Sequence, residues 1–238
     1  MLAKICIKSK SDSEINLPYM NKIVGYTNKL LNDGGDGNEF HSKMGMYNLS
    51  NIYPTKIVSK DKIILPEKFG FFFFSTSDKN IFNLFIKNIQ NNKLVFHDFF
   101  VVKVEIYKDL LYFDGIDTLR FYVQTGVVLQ KDSDDDSKDY NYYRYDHPMA
   151  NKKMKRIILQ KYKNQYGVEY DANNFNIEFD LSYKHKKFKG DKKSKNIKYH
   201  KMMNICPVKI TGTSEMINFC INNGLGNFTK LGYGRIIS

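Results

Sequence analysis

Near its C-terminus the chain reads Gly224-Leu225-Gly226-Asn227-Phe228-Thr229-Lys230-Leu231-Gly232-Tyr233-Gly234-Arg235, two Gly-x-Gly pairs in a sequence with 15 glycines among 238 residues. Glycine enters positive φ without a Cβ penalty and leaves its N–H unshielded, so such a loop is suited to cradling phosphates. A turn ahead of a closing strand is the other reading. Neither familiar nucleotide loop fits. A Walker loop needs Lys-Ser/Thr after its last glycine, and Arg235-Ile236 follows Gly234. A dinucleotide fingerprint needs a third glycine where Thr229 stands, and a place directly after an N-terminal strand. These mismatches argue against a nucleotide, and no cofactor is expected.

The charge balance supplies a different polyanion. Lysine plus arginine number 37 against 25 acids, a net charge of +12. Between Asn151 and Lys201 there are fifteen basic residues and five acids, so this one segment holds most of the excess. Tyr162, Tyr166, Tyr170, Tyr183, Phe188 and Tyr199 are interleaved with them. Cations that hold a phosphate backbone beside aromatic faces that stack on unpaired bases point to nucleic acid. Only Arg120, Arg144, Arg156 and Arg235 could read base edges bidentately, so backbone and shape recognition is expected.

The remaining chemistry-bearing residues exclude more than they suggest. Cys6, Cys206 and Cys220 form no Cys-x-x-Cys pair and are odd in number, which fits a reducing cytoplasm. His41, His97, His147, His185 and His200 lack metal-ligand spacing, so no metal is expected. Lys4 and Lys8 interrupt the first apolar stretch, and no apolar run approaches the ~20 residues of a membrane span. Neither a signal peptide nor a membrane anchor is expected.

The elements that must position these residues follow from periodicity. Residues 2 to 8 alternate as a strand. A helix beginning at Pro18 buries Met20, Ile23, Val24, Thr27, Leu30 and Leu31, ends at Gly34, and carries Lys22, Tyr26 and Lys29 on another face. Short strand pieces over 44–52 and 62–65 lead to a buried strand over 70–75. A helix over 77–92, with Ile81, Phe82, Phe85 and Ile89 inward, precedes a long strand over 94–107. The order then repeats. It gives a strand over 120–129, a mobile acidic loop over 132–139, and a basic helix over 151–165. Strands over 176–183 and 195–210 follow, joined as a hairpin through Lys186 to Lys193, then a helix over 213–223 and a closing strand over 234–237. Strand, helix, strand, strand, helix, strand is the ferredoxin-like order. The fold class is therefore α+β, two tandem ferredoxin-like (βαββαβ) domains over 1–112 and 113–238, ending in the glycine-rich loop.

On these residues the chain resembles the CRISPR-associated repeat-processing endoribonucleases, the sixth Cas family of the repeat-associated RNA-binding superfamily. The glycine doublet, His41 just beyond the first helix, and the segment Met46-Tyr47-Asn48-Leu49-Ser50-Asn51-Ile52 carry the likeness. The resemblance implies a metal-independent endonuclease that cuts CRISPR precursor RNA within its repeats. The 2′-hydroxyl upstream of the scissile phosphate attacks it, giving a 2′,3′-cyclic phosphate and a 5′-hydroxyl. Without a metal, side chains must move both protons and offset charge on the phosphorane. His41 is implied as general acid or base, a role suited to an imidazole pKa near ~6.5. Lys29 is its expected phosphate stabiliser or proton donor, Tyr47 its orienting or proton-transfer group, and Tyr26 and Lys43 are substitutes for these two. Lys152, Lys153, Lys155, Arg156, Lys184, Lys186, Lys187, Lys192 and Lys193 are expected to bind repeat RNA together with Gly224, Gly226, Lys230, Gly232 and Gly234. Other CRISPR effector subunits and a second copy of the chain are possible partners. The competing reading is a non-catalytic RNA-binding subunit of such an effector complex.

Overall fold

The structure, a computed structural model, describes residues 1–9, 14–16, 19–32, 46–59, 62–91, 99–107, 111–132, 141–190 and 201–237. The strands are β1 (Leu2–Ser9), β2 (Ile15–Asn16), β3 (Asn48–Leu49), β4 (Lys56–Ser59), β5 (Lys62–Ile64), β6 (Phe69–Ser75) and β7 (Phe99–Tyr107) in the first half. The second half adds β8 (Asp117–Val123), β9 (Asn176–Phe179), β10 (Lys187–Gly190), β11 (Met202–Ile205), β12 (Val208–Gly212) and β13 (Ile236–Ile237). The long helices are α1 (Met20–Leu31), α2 (Lys79–Asn91), α3 (Ala150–Tyr166) and α4 (Ser214–Asn223).

Alternation builds the first sheet. In β1, Ala3, Ile5 and Ile7 point to one side and pair across β6 with Phe74, Phe72 and Gly70. That side is covered by Ile23, Leu30 and Leu31 of α1 and by Ile81, Phe82, Phe85 and Ile89 of α2, the faces expected from their spacing. The rings of Phe74 and Phe85 stack with centroids 3.8 Å apart. The strand order is β3-β6-β1-β7, all neighbours antiparallel. The second sheet has the order β13-β8-β12-β9, also antiparallel. Numbered within each half, both read 2-3-1-4 from one edge or the other, the ferredoxin-like arrangement. The fold is α+β with two tandem ferredoxin-like halves.

Three details differ from the sequence expectation. The strand expected over 120–129 stops at Val123, because the Gly234 N–H takes the carbonyls of Thr125 and Gly126 (3.2 and 3.1 Å). Only bridges at Val127, Val128 and Gln130 continue beyond that break. The strand expected over 195–210 is two strands, separated at Cys206-Pro207. Pro207 has no N–H for a ladder, and its carbonyl instead accepts from Asp180 N–H at 2.7 Å. So β12 stays in the second sheet while β11 turns away to pair with β10 as a separate ribbon. Finally, β2, β5 and β4 form a further small sheet, of which the pattern announced only β5, within the piece over 62–65. Pro18, Gly34 and most of the acidic loop lie outside the described residues, as does the beginning of the strand expected from Leu94.

Candidate nucleic-acid interface

All four loop glycines sit at positive φ: 70° at Gly224 and Gly226, 84° at Gly232 and 73° at Gly234. All four are buried, so their freedom is used inward. A Cβ on Gly234 would lie 1.9 Å from the Leu225 carbonyl oxygen, and one on Gly226 2.4 Å from that of Val128. A Cβ on Gly224 would lie 2.2 Å from Asn48 Nδ2. The N–H groups of Gly224, Gly232 and Gly234 donate to the carbonyls of Cys220, of Thr229, and of Thr125 and Gly126. What the sequence suggested as an open amide cradle is, at these three amides, closed by the protein itself. Toward the outside the loop presents side chains: Asn227, Phe228, Lys230, Leu231 and Tyr233 are each partly exposed.

The loop joins the two halves. Asn48 Nδ2, on β3, donates to the Tyr233 carbonyl at 3.1 Å, and Gly232 packs against Met20 of α1 and against Asn51. Lys230 Nζ stands 5.2 Å from the centre of the Tyr47 ring, and burial lowers its pKa to about 8. The Arg235 guanidinium, 5% exposed, lies 4.4 Å from the centre of the Phe73 ring on the side of the first sheet away from α1 and α2. Its Nε donates to Gln124 at 2.8 Å, and burial lowers its pKa to about 10 against an opposing pull from Tyr53. Lys201 closes the other side, its Nζ 4.3 Å from the Phe228 ring centre and 5.5 Å from that of Tyr233.

Tyr47 is fully buried and its hydroxyl donates to Asn28 Oδ1 of α1 at 2.7 Å. Burial pushes its pKa far up. A group so placed orients α1 against β3 and the loop; it does not face solvent to exchange a proton. Lys29 is exposed in the last turn of α1, and Tyr26, half-buried one turn earlier, has its pKa raised to about 12 by burial. His41 and Lys43 lie outside the described residues, on the connection between α1 and Tyr47. His97 and His200 are also outside them, and so are Lys192 and Lys193.

The basic helix α3 divides its cations between two environments. Ala150, Met154, Ile157, Ile158, Lys161 and Tyr162 form its buried side. Lys152, Lys155, Arg156 and Lys163 fall opposite Lys161 at ~3.6 residues per turn and line a groove of ≈ 530 Å³ with Tyr170 and Glu169. Several of these are already engaged. Lys153 and Arg156 both pair with Asp132 (2.6 Å from Lys153), Lys155 donates to the Ala172 carbonyl at 2.8 Å, and Lys163 meets Glu169 at 2.7 Å. Lys184 and Lys187 are exposed, and Lys186 donates to the Tyr183 carbonyl at 3.0 Å.

Lys161 is the residue that sequence reasoning misplaced. One of the fifteen basic residues summed toward a polyanion, it is 2% exposed, its Nζ 2.9 Å from the Gly224 carbonyl and 3.5 Å from both the Asn223 carbonyl and Thr229 Oγ1. Burial lowers its pKa to about 7. The signal was present: position 161 continues the apolar stripe 150, 154, 157, 158 at helical spacing.

The family model described as "CRISPR associated protein Cas6, C-terminal" matches residues 114–236, just over half of the chain. The chain belongs to the Cas6 family. Its coarse function follows: it is a CRISPR repeat-RNA processing protein, an endoribonuclease. Solved structures agree in fold along the whole length. The product of a Cas6-related gene from Pyrococcus furiosus has a TM-score of 0.76 at 17% identity, covering 100% of this chain and 97% of that one. A RAMP protein described as binding different RNA substrates has a TM-score of 0.76 at 16% identity over 99% and 98% of the two chains. A CRISPR associated protein Cas6 gives 0.72 at 15% over 100% and 98%. No curated protein matches the sequence. Among the described residues of this Cas6-family chain, no helix is long and apolar enough to cross a membrane.

Proposed function

We propose that this chain cuts CRISPR precursor RNA within its repeats without a metal ion, using the RNA's own 2′-hydroxyl as nucleophile. The 2′-oxygen bonds to the adjacent phosphorus while the bond to the 5′-oxygen breaks. The 2′-hydroxyl proton goes to a base, and the leaving 5′-oxygen receives one from an acid. The products are a 2′,3′-cyclic phosphate and a 5′-hydroxyl. His41 serves as the acid or base, since one imidazole can hold or release a proton near neutral pH. Lys29 and Lys230 supply positive charge for the phosphorane.

The observation that carries this reading is the docking of the glycine loop on α1 and β3. Residues 33–45, which contain His41, connect those two elements, and Lys230 from the far end of the chain stands over Tyr47 at their junction. Cations from both halves, Lys29 and Lys230, thus stand near the two ends of the segment that bears the imidazole. Lys152, Lys155 and Arg156 on α3 and Lys184 and Lys187 beside the β10-β11 ribbon hold flanking RNA through its phosphates, and each such contact steepens the salt dependence of binding. In this reading the units are 1–112, which provides the acid–base group, and 113–238, which provides most of the RNA-holding surface.

The decisive assay is incubation of the protein with repeat RNA in excess EDTA. A single cut, abolished by 2′-deoxy substitution one nucleotide upstream while binding persists, is expected. His41→Ala should lower the cleavage rate by about 10²–10⁴-fold with affinity nearly unchanged. Tight binding of several repeats with no cut in any would replace this reading by that of a non-catalytic RNA-binding subunit.

A further inference from the structure

Lys161 is a buried amine with no carboxylate beside it among the described residues. Removing such a group from water is costly unless something compensates, and an apolar residue of equal length would fill the space without that cost. Its partners explain its place. The Asn223 and Gly224 carbonyls end α4, where the helix dipole favours a positive group, and Gly224 leaves the helix at φ 70°, ψ 163°, a conformation open essentially only to glycine, its carbonyl 2.9 Å from Nζ. The third partner, Thr229 Oγ1, belongs to the far side of the same loop. One amine therefore ties residues 223–224 to residue 229, and the next residue along the chain is Lys230, over Tyr47.

We propose that Lys161 is a positioning residue for RNA cleavage: from inside the protein it cross-links the two stems of the glycine loop and so sets where Lys230 meets the substrate. The inference rests on the reading that the loop borders the cleavage site. It assigns α3 two separate tasks, an outer stripe of cations for RNA and an inner amine for the loop. The ionisable group that faces Lys161 among the described residues is the Cys220 thiol of α4, pushed up to about 12 by burial and neutral at working pH. From the loop the facing groups, Asn223, Gly224 and Thr229, do not titrate.

Lys161→Met keeps the length and removes the charge and its donors. Amide hydrogen exchange in residues 225–234 should speed up by about tenfold or more in the variant, while β1, β6 and α2 keep their protection. Cleavage at saturating repeat RNA should fall by about tenfold or more, with the half-saturating RNA concentration within about twofold of wild type. A pH series adds a third reading. The Lys161 pKa is lowered from 10.5 to about 7, so between those values the unfolded chain holds a proton that the folded chain has released. Wild-type stability therefore rises with pH across that window, and the variant should lack this rise. Lys161→Gln, which retains a neutral donor, should recover part of the rate; it also serves if the Met variant does not fold. Unchanged loop exchange together with an unchanged rate in either folded variant would overturn the proposal. Were the wild type itself to leave every repeat intact, the cleavage reading would fail, and loop exchange would still decide whether Lys161 holds the loop.

Discussion

The N-terminal half packs its sheet against α1 and α2 with Ile5, Ile7, Phe72, Phe74 and Phe85 in the interior, and no charged side chain is buried among its described residues. The C-terminal half has the same strand order, yet buries Lys161, Asp180 and Arg235. Asp180 has Arg120 at 3.0 Å and two bonds from Ser182, which, ahead of Arg120, hold its carboxyl below the usual carboxylate range. Among the described residues Lys161 has only neutral oxygens as hydrogen-bond partners, and Arg235 lies on an aromatic ring. The same half holds all four loop glycines at positive φ. Lys161, Arg235 and the glycines thus gather at the loop that reaches the first half, the pattern expected of a functional site, whereas Asp180 is held within the second half. The described core of the first half is organised for packing, that of the second for placing a loop.

Substitutions in the two halves can separate these roles. The largest loss of stability should come from Phe85→Ala, roughly 3–5 kcal/mol by chemical denaturation, because a stacked ring inside the first core is removed. The rate of cleavage per folded molecule should remain near wild type. A rate that falls more than stability would mean that the Phe85 core also positions the reacting groups.

Gly234→Ala comes next, at about 2–4 kcal/mol from strained φ and overlap with the Leu225 carbonyl. Here cleavage should fall further than the folded fraction, since the loop must shift. A variant that lost stability but cut RNA at the normal rate would erase the contrast between the halves. The smallest effect is expected for Tyr47→Phe, about 1 kcal/mol for the hydroxyl donated to Asn28. Cleavage should persist, because that hydroxyl is buried; its disappearance in a stable Tyr47→Phe protein would return Tyr47 to a proton-transfer role.

Much of this was legible before the structure. Helical spacing placed Ile23, Thr27, Leu30 and Leu31 of α1 and Ile81, Phe82, Phe85 and Ile89 of α2 in the core, and the element order implied the double ferredoxin-like plan. Pro207 could have warned of the break between β11 and β12, since proline does not sit inside a central strand. The end of β8 at Val123 carried no such mark: it depends on Gly234 reaching Thr125 and Gly126 from more than a hundred residues away. The basic segment was visible as a sum of charges, but a sum does not say which lysine points inward.

By itself the sequence determined the helices, most of the strands, the excess of cations and a glycine-rich loop, because these rest on side-chain size, charge and local spacing. The tertiary structure decided what the glycines are for. Leu225, Val128 and Asn48 press on the Cα atoms of Gly234, Gly226 and Gly224, and at Gly232 a positive φ lets the loop pass against Met20 of α1. It likewise decided that Lys161 belongs to that loop and Lys163 to the surface, since only packing fixes which side of a helix loses contact with water.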